Sequence, residues 1–276
     1  MRPFDIIPTF LDSPQGRIFV IHRMLHGVKA QLGVVLVPPF AEEMNRSRHM
    51  LTLLAEALSR KGCHVLLPDF YGTGDSEGRF DDADWGGWVE QLNCCVENLK
   101  NNYGIDRYSM VGIRAGALLV ADYLQNYSFR PERLVFWQPV LDGDAYLKQF
   151  LRLRMATDML SSDEGVTTPS MIQSLANGET VEVIGYPLRS ALTDGLSNAA
   201  MRKIEPGLLP EISWFDLVTY GQQIPPVKSR DLIKSWSDSG ACIQYLVIPG
   251  DPFWNSAEVV ENHKLIVESV NFLVRD

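Results

Sequence analysis

Several signatures that would assign a function at once are missing from this sequence of 276 residues. Its four cysteines, Cys63, Cys94, Cys95 and Cys242, form no CxxC pair and no ligand cluster. We therefore expect buried, reduced thiols rather than a disulfide framework or a zinc site. Because no phosphate-binding P-loop, dinucleotide fingerprint or zinc pattern is present, we expect no cofactor and no metal.

Long apolar runs and an excess of positive charge are also missing. Residues 1–16 contain no continuous apolar stretch, and no later run reaches the length of a membrane span. The chain has 25 Lys and Arg against 34 Asp and Glu, a formal net charge of −9. This balance argues against nucleic acid as a partner. Together these features predict a cytoplasmic protein that is not integral to a membrane.

The order of the apolar patterns indicates an α/β fold. After an N-terminal hairpin over residues 4–24, short buried strands are predicted at 33–37, 65–67, 108–111 and 134–137. Single amphipathic helices separate them, at 47–60, 84–99 and 115–125. A second series follows later in the chain: a strand at 212–218, a helix at 229–239, a strand at 243–248 and a helix at 257–273. Strands that alternate with helices form a parallel sheet with right-handed crossovers.

Residues 144–209 interrupt this alternation. They are predicted to form helices with a short strand-like stretch at 181–184. An insertion at this point lies over the carboxyl ends of the strands, where open α/β sheets bind ligands. We therefore predict a single domain over residues 1–276 with a mostly helical cap at 144–209.

The most informative motif is Gly112-Ile113-Arg114-Ala115-Gly116, which follows a predicted strand and opens a predicted helix. This is the context of the G-x-S-x-G nucleophile elbow, in which small flanking residues permit a strained turn that exposes the central side chain. The preceding order of strand, Pro-Pro-Phe loop, helix, strand and D-x-x-G-x-G-D-S loop supports an α/β-hydrolase fold. We expect a mostly parallel central sheet with helices on both faces, and an arginine where the fold has its nucleophile.

The sequence resembles the exosortase A system-associated hydrolases, specifically the type called hydrolase 2. The resemblance extends from about residue 38 to residue 254, in the segments PPFAEEMNRSR (38–48), DFYGTGDS (69–76), GIRAGA (112–117), WQPV (137–140), QFLRLR (149–154) and GDPFW (250–254). It implies a bacterial cytoplasmic protein encoded among genes for exopolysaccharide synthesis and PEP-CTERM protein sorting. The name hydrolase follows the fold, and a fold does not by itself establish chemistry.

A conventional Ser-His-Asp triad is not expected from the residues in the matching positions. Arg114 has no electron pair for nucleophilic attack at neutral pH. The acid position after the penultimate strand holds Thr219, Tyr220 and Gly221, and the loop at 250–254 contains no histidine. The chain therefore lacks the pattern of a conventional serine hydrolase.

Other polar residues are interpreted as structural. Asp216 lies inside a predicted strand and is expected to accept hydrogen bonds there. His263 recurs at helical spacing with apolar residues, so we expect it to pack. Ser76 is expected to support its loop, and Ser47 to lie at the start of its helix.

Arg114 requires a negatively charged partner. A cation at a helix N-terminus opposes the macrodipole at a cost of roughly 0.3–1 kcal/mol, and burial without a partner costs more. Glu42, Glu43 and Asp75 lie in loops predicted at the same edge of the sheet. Two interpretations stay open. Arg114 binds a phosphate or carboxylate of a ligand, or it pairs internally with an acidic residue that closes the site.

Two functions follow from these interpretations. The first is an enzyme, a hydrolase or acyl-transfer protein with a non-serine site around Arg114. The second is a non-catalytic ligand-binding or assembly protein in which Arg114 binds an anionic small molecule or acyl ligand. No residue is assigned a catalytic role. The candidate pocket consists of seven residues: Phe40, Glu42, Glu43, Asp75, Arg114, Ala115 and Trp254.

Overall fold

The structure, a computed structural model, describes residues 4–161, 167–219 and 227–275. The strands are β1 (Phe4–Leu11), β2 (Ile18–Leu25), β3 (Gly33–Val37), β4 (His64–Pro68), β5 (Tyr108–Ile113), β6 (Arg133–Trp137), β7 (Val181–Val183), β8 (Tyr186–Leu188), β9 (Glu211–Val218) and β10 (Ile243–Pro249). The helices are α1 (Glu42–Arg60), α2 (Trp85–Tyr103), α3 (Gly116–Asn126), α4 (Gly143–Ser161), α5 (Thr168–Ala176), α6 (Ser190–Asn198), α7 (Val227–Asp238) and α8 (His263–Leu273). Short 3-10 helices lie at Phe80–Asp82, Met201–Lys203 and Pro206–Leu208.

Eight strands form one sheet in the order β1-β2-β4-β3-β5-β6-β9-β10. β1 and β2 are antiparallel to each other, and β2 is antiparallel to β4. From β4 to β10 all neighbours are parallel. β3, a continuous apolar run, and β5, in which Ser109 is the one polar residue, are buried throughout, as expected for parallel strands covered on both faces. The predicted, mostly parallel sheet is confirmed, and the loops after β3, β5 and β6 meet at its carboxyl edge.

Helices cover both faces of this sheet. On one face, α1 and α8 enclose a core that includes Leu54, Val111 and Trp137. On the other face, α2 and α3 enclose a larger core that includes Trp88 and Met110 and extends into residues 144–209. Among the described residues, no helix is long and apolar enough to cross a membrane.

Helix α1 begins earlier than predicted, at Glu42. Ser47, expected at the helix start, lies in its interior, where its hydroxyl donates to the Glu43 carbonyl at 2.7 Å. Ala41 precedes the helix with φ 51° and provides no capping side chain. Two glutamates in the first turn favour this start because they complement the positive end of the helix dipole. Glu42 and Glu43 are therefore fixed on a helix rather than in a loop.

Helix α8 begins later than predicted, at His263, and the Asn262 side chain caps it by accepting a backbone N–H of the first turn. The prediction that His263 packs in the interior is wrong. Its side chain is 78% exposed and lies 3.0 Å from the Glu261 carboxylate. The helical spacing with Val259 has no meaning in the structure because Val259 precedes the helix.

Residues 144–209, which we call the inserted segment, contain most of α4, then α5, α6 and two short strands. The single strand predicted at 181–184 is an antiparallel hairpin of β7 and β8. Tyr146 and Phe150 of α4 contact the Phe40 ring, with centroid distances of 6.2 and 5.3 Å. Because Phe40 follows β3, these contacts fix α4 near the carboxyl edge of the sheet. The role of the inserted segment as a cap stays a prediction.

Candidate functional site

The turn between β5 and α3 places Arg114 at the carboxyl edge of the sheet and at the start of a helix. Its φ of 52° is in the left-handed region, where a residue with a Cβ is strained by roughly 1–3 kcal/mol. The Arg114 N–H donates to the Trp137 carbonyl at 3.0 Å, and the Arg114 carbonyl accepts from Val140 at 3.1 Å. These two hydrogen bonds connect the turn to the end of β6 and the loop that follows it.

Gly112 and Gly116 are needed for this turn because of close backbone contacts. A Cβ at Gly116 would lie 2.4 Å from the Val37 carbonyl oxygen, and a Cβ at Gly112 would lie 2.8 Å from the Ala117 Cα. Both distances are shorter than van der Waals contact. The two glycines of the GIRAG motif therefore let the turn approach β3 and α3 closely.

Arg114 forms a bidentate pair with Glu43 from the first turn of α1. Its Nε and Nη2 lie 3.2 and 3.3 Å from the two carboxylate oxygens, and its Nη1 donates to the Gln138 carbonyl at 3.1 Å. The two side chains are only 15% and 21% exposed. These bonds use three of the five N–H groups of the guanidinium. The other two have no partner among the described residues.

Two aromatic side chains complete the surroundings of this pair. The Arg114 guanidinium carbon lies 4.9 Å from the centroid of the Trp254 ring, within the range of a cation–π interaction. Trp254 belongs to the loop after β10, in which this fold is expected to have its histidine. From the inserted segment, the hydroxyl of buried Tyr146 donates a hydrogen bond to Glu43.

Burial raises the pKa of the Glu43 carboxyl above its usual range, although the Arg114 guanidinium and the Tyr146 hydroxyl oppose this effect. Burial and the adjacent Glu43 carboxylate raise the pKa of Tyr146 well above its usual range. Tyr146 is therefore a fixed donor at all ordinary pH values. Glu43 takes up a proton more readily than an exposed glutamate does.

Arg114, Glu43 and Tyr146 line a cleft with a volume of about 350 Å³. Phe150, Ile184 and Trp254 line the same cleft and give it an apolar wall. The site is thus open to a ligand even though Arg114 already has a carboxylate partner. The internal pair expected for Arg114 is therefore present without closing the site, and the binding of a ligand by Arg114 stays a prediction.

The predicted pocket residues divide between this cleft and other places. Phe40 and Ala115 line a neighbouring apolar cavity of only about 10 Å³. Asp75 is exposed, and its N–H donates to the Asp69 carboxylate at 3.0 Å. The carboxylate partner of Arg114 therefore comes from α1 and not from the loop after β4. Four of the seven predicted residues line the cleft: Glu42, Glu43, Arg114 and Trp254.

Sequence reasoning did not identify Tyr146 or Gln138 as parts of the site. Gln138 has φ 42°, and its side-chain oxygen accepts from the Leu217 N–H at 2.6 Å. The WQPV segment at 137–140 was a signal that could have identified it. Ala41, Arg114 and Gln138 follow β3, β5 and β6, and all three have positive φ. Strained backbone of this kind is concentrated at functional sites.

The remaining polar candidates are structural in the described chain. The Ser76 hydroxyl accepts from the Phe19 N–H at 2.7 Å and donates to the Asp69 carbonyl, so it supports its loop as expected. Asp216 is buried and accepts from the Trp214 indole and the Tyr245 hydroxyl at 3.0 and 2.8 Å. Burial raises the pKa of Asp216.

The residues at the expected acid position, the cysteines and possible metal ligands lie outside this cleft. Tyr220 and Gly221 lie outside the described residues, while Thr219 is exposed. Cys63 and Cys95 are buried, but Cys242 is exposed, contrary to the expectation of four buried thiols. In the part of the chain that the structure describes, no group of His, Cys, Asp or Glu side chains could hold a metal ion.

The sheet order, with a strained strand-to-helix turn at its carboxyl edge, defines an α/β-hydrolase fold. A family model described as serine aminopeptidase, S33 (Hydrolase_4) matches residues 29–171, more than half of the chain. The chain belongs to this family. No curated protein sequence matches it significantly.

Solved structures share the fold over nearly the whole chain. Est1E from Butyrivibrio proteoclasticus, with ferulic acid bound, has a TM-score of 0.65 at 14% identity over 96% of both chains. An esterase (EaEST) from Exiguobacterium antarcticum has a TM-score of 0.59 at 14% identity, over 98% of this chain and 100% of that chain. An alpha-beta serine hydrolase homologue from Coxiella burnetii has a TM-score of 0.55 at 16% identity, over 98% and 96%. At such identities the likeness shows the fold alone.

Proposed function

We propose that this chain is a hydrolase-family protein of a bacterial exosortase and exopolysaccharide system, in which a degenerate serine-hydrolase site binds an anionic group. The system is proposed from the sequence segments shared with the exosortase A system-associated hydrolases. The binding role is proposed from one observation above all. Arg114 stands at the strained elbow, lines an open cleft, and has two N–H groups that the described contacts leave for a ligand.

The degenerate triad is supported by what surrounds Arg114. Trp254, from the loop after β10, lies against the guanidinium at the place where a histidine would be needed. Among the described residues, no histidine lines the cleft. A serine mechanism needs a nucleophile, a base and an orienting acid that act as one unit, and the described lining of this cleft contains neither a serine nor a histidine.

The charges of the cleft determine how an anion binds. Glu42 pairs with Arg46 at 3.2 Å, and Glu43 pairs with Arg114, so the lining is balanced without a ligand. An incoming anion therefore replaces Glu43 on Arg114 or binds while Glu43 is protonated. The raised pKa of Glu43 favours the second route. Anion binding is then linked to the uptake of a proton.

An enzymatic function is the second candidate, a hydrolase or acyl-transfer activity without a serine. It is favoured by the Glu43 carboxylate, whose raised pKa moves it towards the range of a general base. Glu43 would take the proton of a water or alcohol that attacks an ester carbonyl, while Arg114 would stabilise the developing oxyanion. Collapse of the tetrahedral intermediate would then break the ester C–O bond, and the departing alcohol would take the proton from Glu43. The membership of a hydrolase family supports this alternative.

One experiment separates the two candidates. Calorimetric titration with ethyl phosphate and with propionate measures binding to the wild type, and p-nitrophenyl esters measure hydrolysis. We expect Arg114→Asn to weaken anion binding at least tenfold, since Asn tolerates the backbone of residue 114 but lacks the charge. Arg107→Gln, which removes an exposed arginine paired with Glu132 outside the cleft, is the control and should leave anion binding unchanged. Ester hydrolysis that disappears in Glu43→Gln while binding persists would establish the enzyme instead.

A further inference from the structure

The turn between β7 and β8 places an unfavourable residue at the rim of the cleft. Ile184 and Gly185 form this two-residue turn with φ values of 44° and 85°. Positive φ at both positions is the type I′ geometry, which strongly prefers Asn-Gly. A β-branched residue is a true outlier in this region because its side chain crowds the backbone. The geometry of the turn therefore does not explain why residue 184 is an isoleucine.

Packing does not explain Ile184 either. The residue is 41% exposed, whereas the flanking Val183 is buried. Ile184 lines the cleft together with Phe150 and Leu153 of α4, and Leu153 is 44% exposed. We call Phe150, Leu153 and Ile184 the apolar lip. Strain and apolar exposure at one rim position indicate that the side chain is retained for contact with a ligand.

The size and chemistry of the cleft indicate what that ligand contains. The cleft has a volume of about 350 Å³, far more than a small inorganic anion occupies. Such an anion, bound at Arg114, would leave the side chains of the apolar lip exposed to water. Apart from the amides of Gln149 and Asn255, the uncharged part of the lining consists of aliphatic and aromatic side chains, with Phe150, Leu153 and Ile184 together at one side. Such a wall binds a chain of methylenes rather than a sugar, whose hydroxyls would lose hydrogen bonds.

We propose that the ligand is an anionic amphiphile: a carboxylate or phosphate monoester held at Arg114, with a linear apolar chain that leaves the cleft along the apolar lip. This inference rests on the proposed anion site at Arg114 and adds the chemistry of the rest of the ligand. Ile184 is then a specificity residue, which contacts the chain and not the charged group.

The test uses alkyl phosphates from ethyl to octyl, each titrated below its micelle concentration. Wild-type affinity should rise about fourfold for each methylene that contacts the apolar lip, the equivalent of ~0.8 kcal/mol per buried CH₂. Ile184→Asn should weaken octyl phosphate binding about tenfold and leave ethyl phosphate unchanged. The same substitution should raise the thermal midpoint, because Asn-Gly suits the turn. Opposite effects on stability and binding exclude misfolding as the cause.

The control is Val267→Asn, an exposed apolar residue of α8 away from the cleft, which should leave the series unchanged. Equal affinities for ethyl and octyl phosphate, or full octyl affinity in Ile184→Asn, would overturn the amphiphile while the anion site stands. Absence of binding across the series would overturn the anion site as well. Binding to phosphatidylcholine vesicles with phosphatidic acid, without binding of monomeric octyl phosphate, would make the apolar lip a membrane contact and refute the proposal.

Discussion

The guanidinium of Arg114 lies 4.9 Å from the centroid of the Trp254 ring. Arg114 is thereby covered by an aromatic side chain from the loop after β10. Trp254 is itself buried against Phe253, with ring centroids 5.0 Å apart. The guanidinium of Arg114 and the two aromatic rings therefore form one packed group beside the cleft.

Serine-directed phosphonates should not label the protein. Arg114→Ser should not restore a normal hydrolase either, since the described lining of the cleft has no histidine to activate the new hydroxyl, and a carboxylate such as Glu43 cannot replace the imidazole and its orienting acid. At most we expect the residual rate of roughly 10³–10⁴ over water that hydrolases keep without a triad. Intact-mass spectrometry after fluorophosphonate treatment measures this. Stoichiometric labelling of the wild type, at Ser76 in particular, would mean a relocated nucleophile and contradict the binding role.

Replacement of Glu43 by Gln should change how anion affinity depends on pH. In the wild type, binding takes up a proton at Glu43, so affinity should rise as the pH falls, by at most tenfold per unit. The sign follows from burial, which raises the pKa of Glu43, and from the anion, which raises it further. Glu43→Gln removes the competing charge, so affinity at pH 8 should increase and the pH dependence should flatten.

Among the described residues, Arg114 and Tyr146 contact Glu43, and Glu42 and Arg46 of α1 line the same cleft. Glu42→Gln is therefore the matched control, and it should leave the pH dependence in place. Calorimetry in two buffers of different ionisation enthalpy counts the protons directly. Anion affinity that is independent of pH in the wild type would show that Glu43 does not titrate on binding.

The close approach of Gly116 to β3 should make it intolerant of a side chain. A Cβ there would lie 2.4 Å from the Val37 carbonyl oxygen, which belongs to a buried strand and has no room to move. We expect Gly116→Ala to reduce the free energy of unfolding, measured in urea, by about 1–3 kcal/mol. Gly207→Ala is the control, because a Cβ at Gly207 would meet no atom within 4 Å. Equal stability of both variants would show that the turn is not tightly packed.

The sheet could be predicted from the sequence because buried parallel strands are continuous apolar runs. Residues 33–37 are such a run, and β3 has these bounds. The start of α1 could not be predicted in the same way. Ser47 resembles a capping residue, whereas the true start follows Ala41, which has no cap and an unusual backbone. Helix starts that depend on tertiary contacts leave no local signal.

The candidate site was predictable only in part for a related reason. The GIRAG motif placed Arg114 because the turn it forms is local. The choice between Glu43 and Asp75 as its partner depends on where α1 begins, which is a property of the folded chain. Tyr146 comes from the inserted segment, and no spacing links it to Glu43. The strain at Ile184 is likewise visible only when the hairpin register is known.

A buried histidine pair lies far from this chemistry. His22 of β2 and His64 of β4 are buried, and their Nδ1 and Nε2 atoms are 2.9 Å apart. Burial lowers the pKa of His22 to about 4 and that of His64 to about 3. Within the described chain, the His22 Nε2 has no hydrogen-bond partner. Neither ring can accept a proton without placing an uncompensated charge in the core.

This pair should make the protein sensitive to acid. Between the unfolded pKa of about 6.5 and the lowered folded values, the unfolded chain binds more protons than the folded one. The contribution of the two neutral histidines to the free energy of unfolding is therefore fully present above about pH 6.5. It falls as the pH decreases, by up to ~1.4 kcal/mol per pH unit for each histidine. The double substitution His22→Leu/His64→Leu should flatten this slope in urea unfolding between pH 6.5 and 4.5. Because both partners are replaced together, the loss of stability caused by the double substitution at neutral pH should be small.

His26→Gln, at an exposed position, is the control and should leave the slope unchanged. An unaltered slope in the double variant would mean that other groups cause the acid sensitivity.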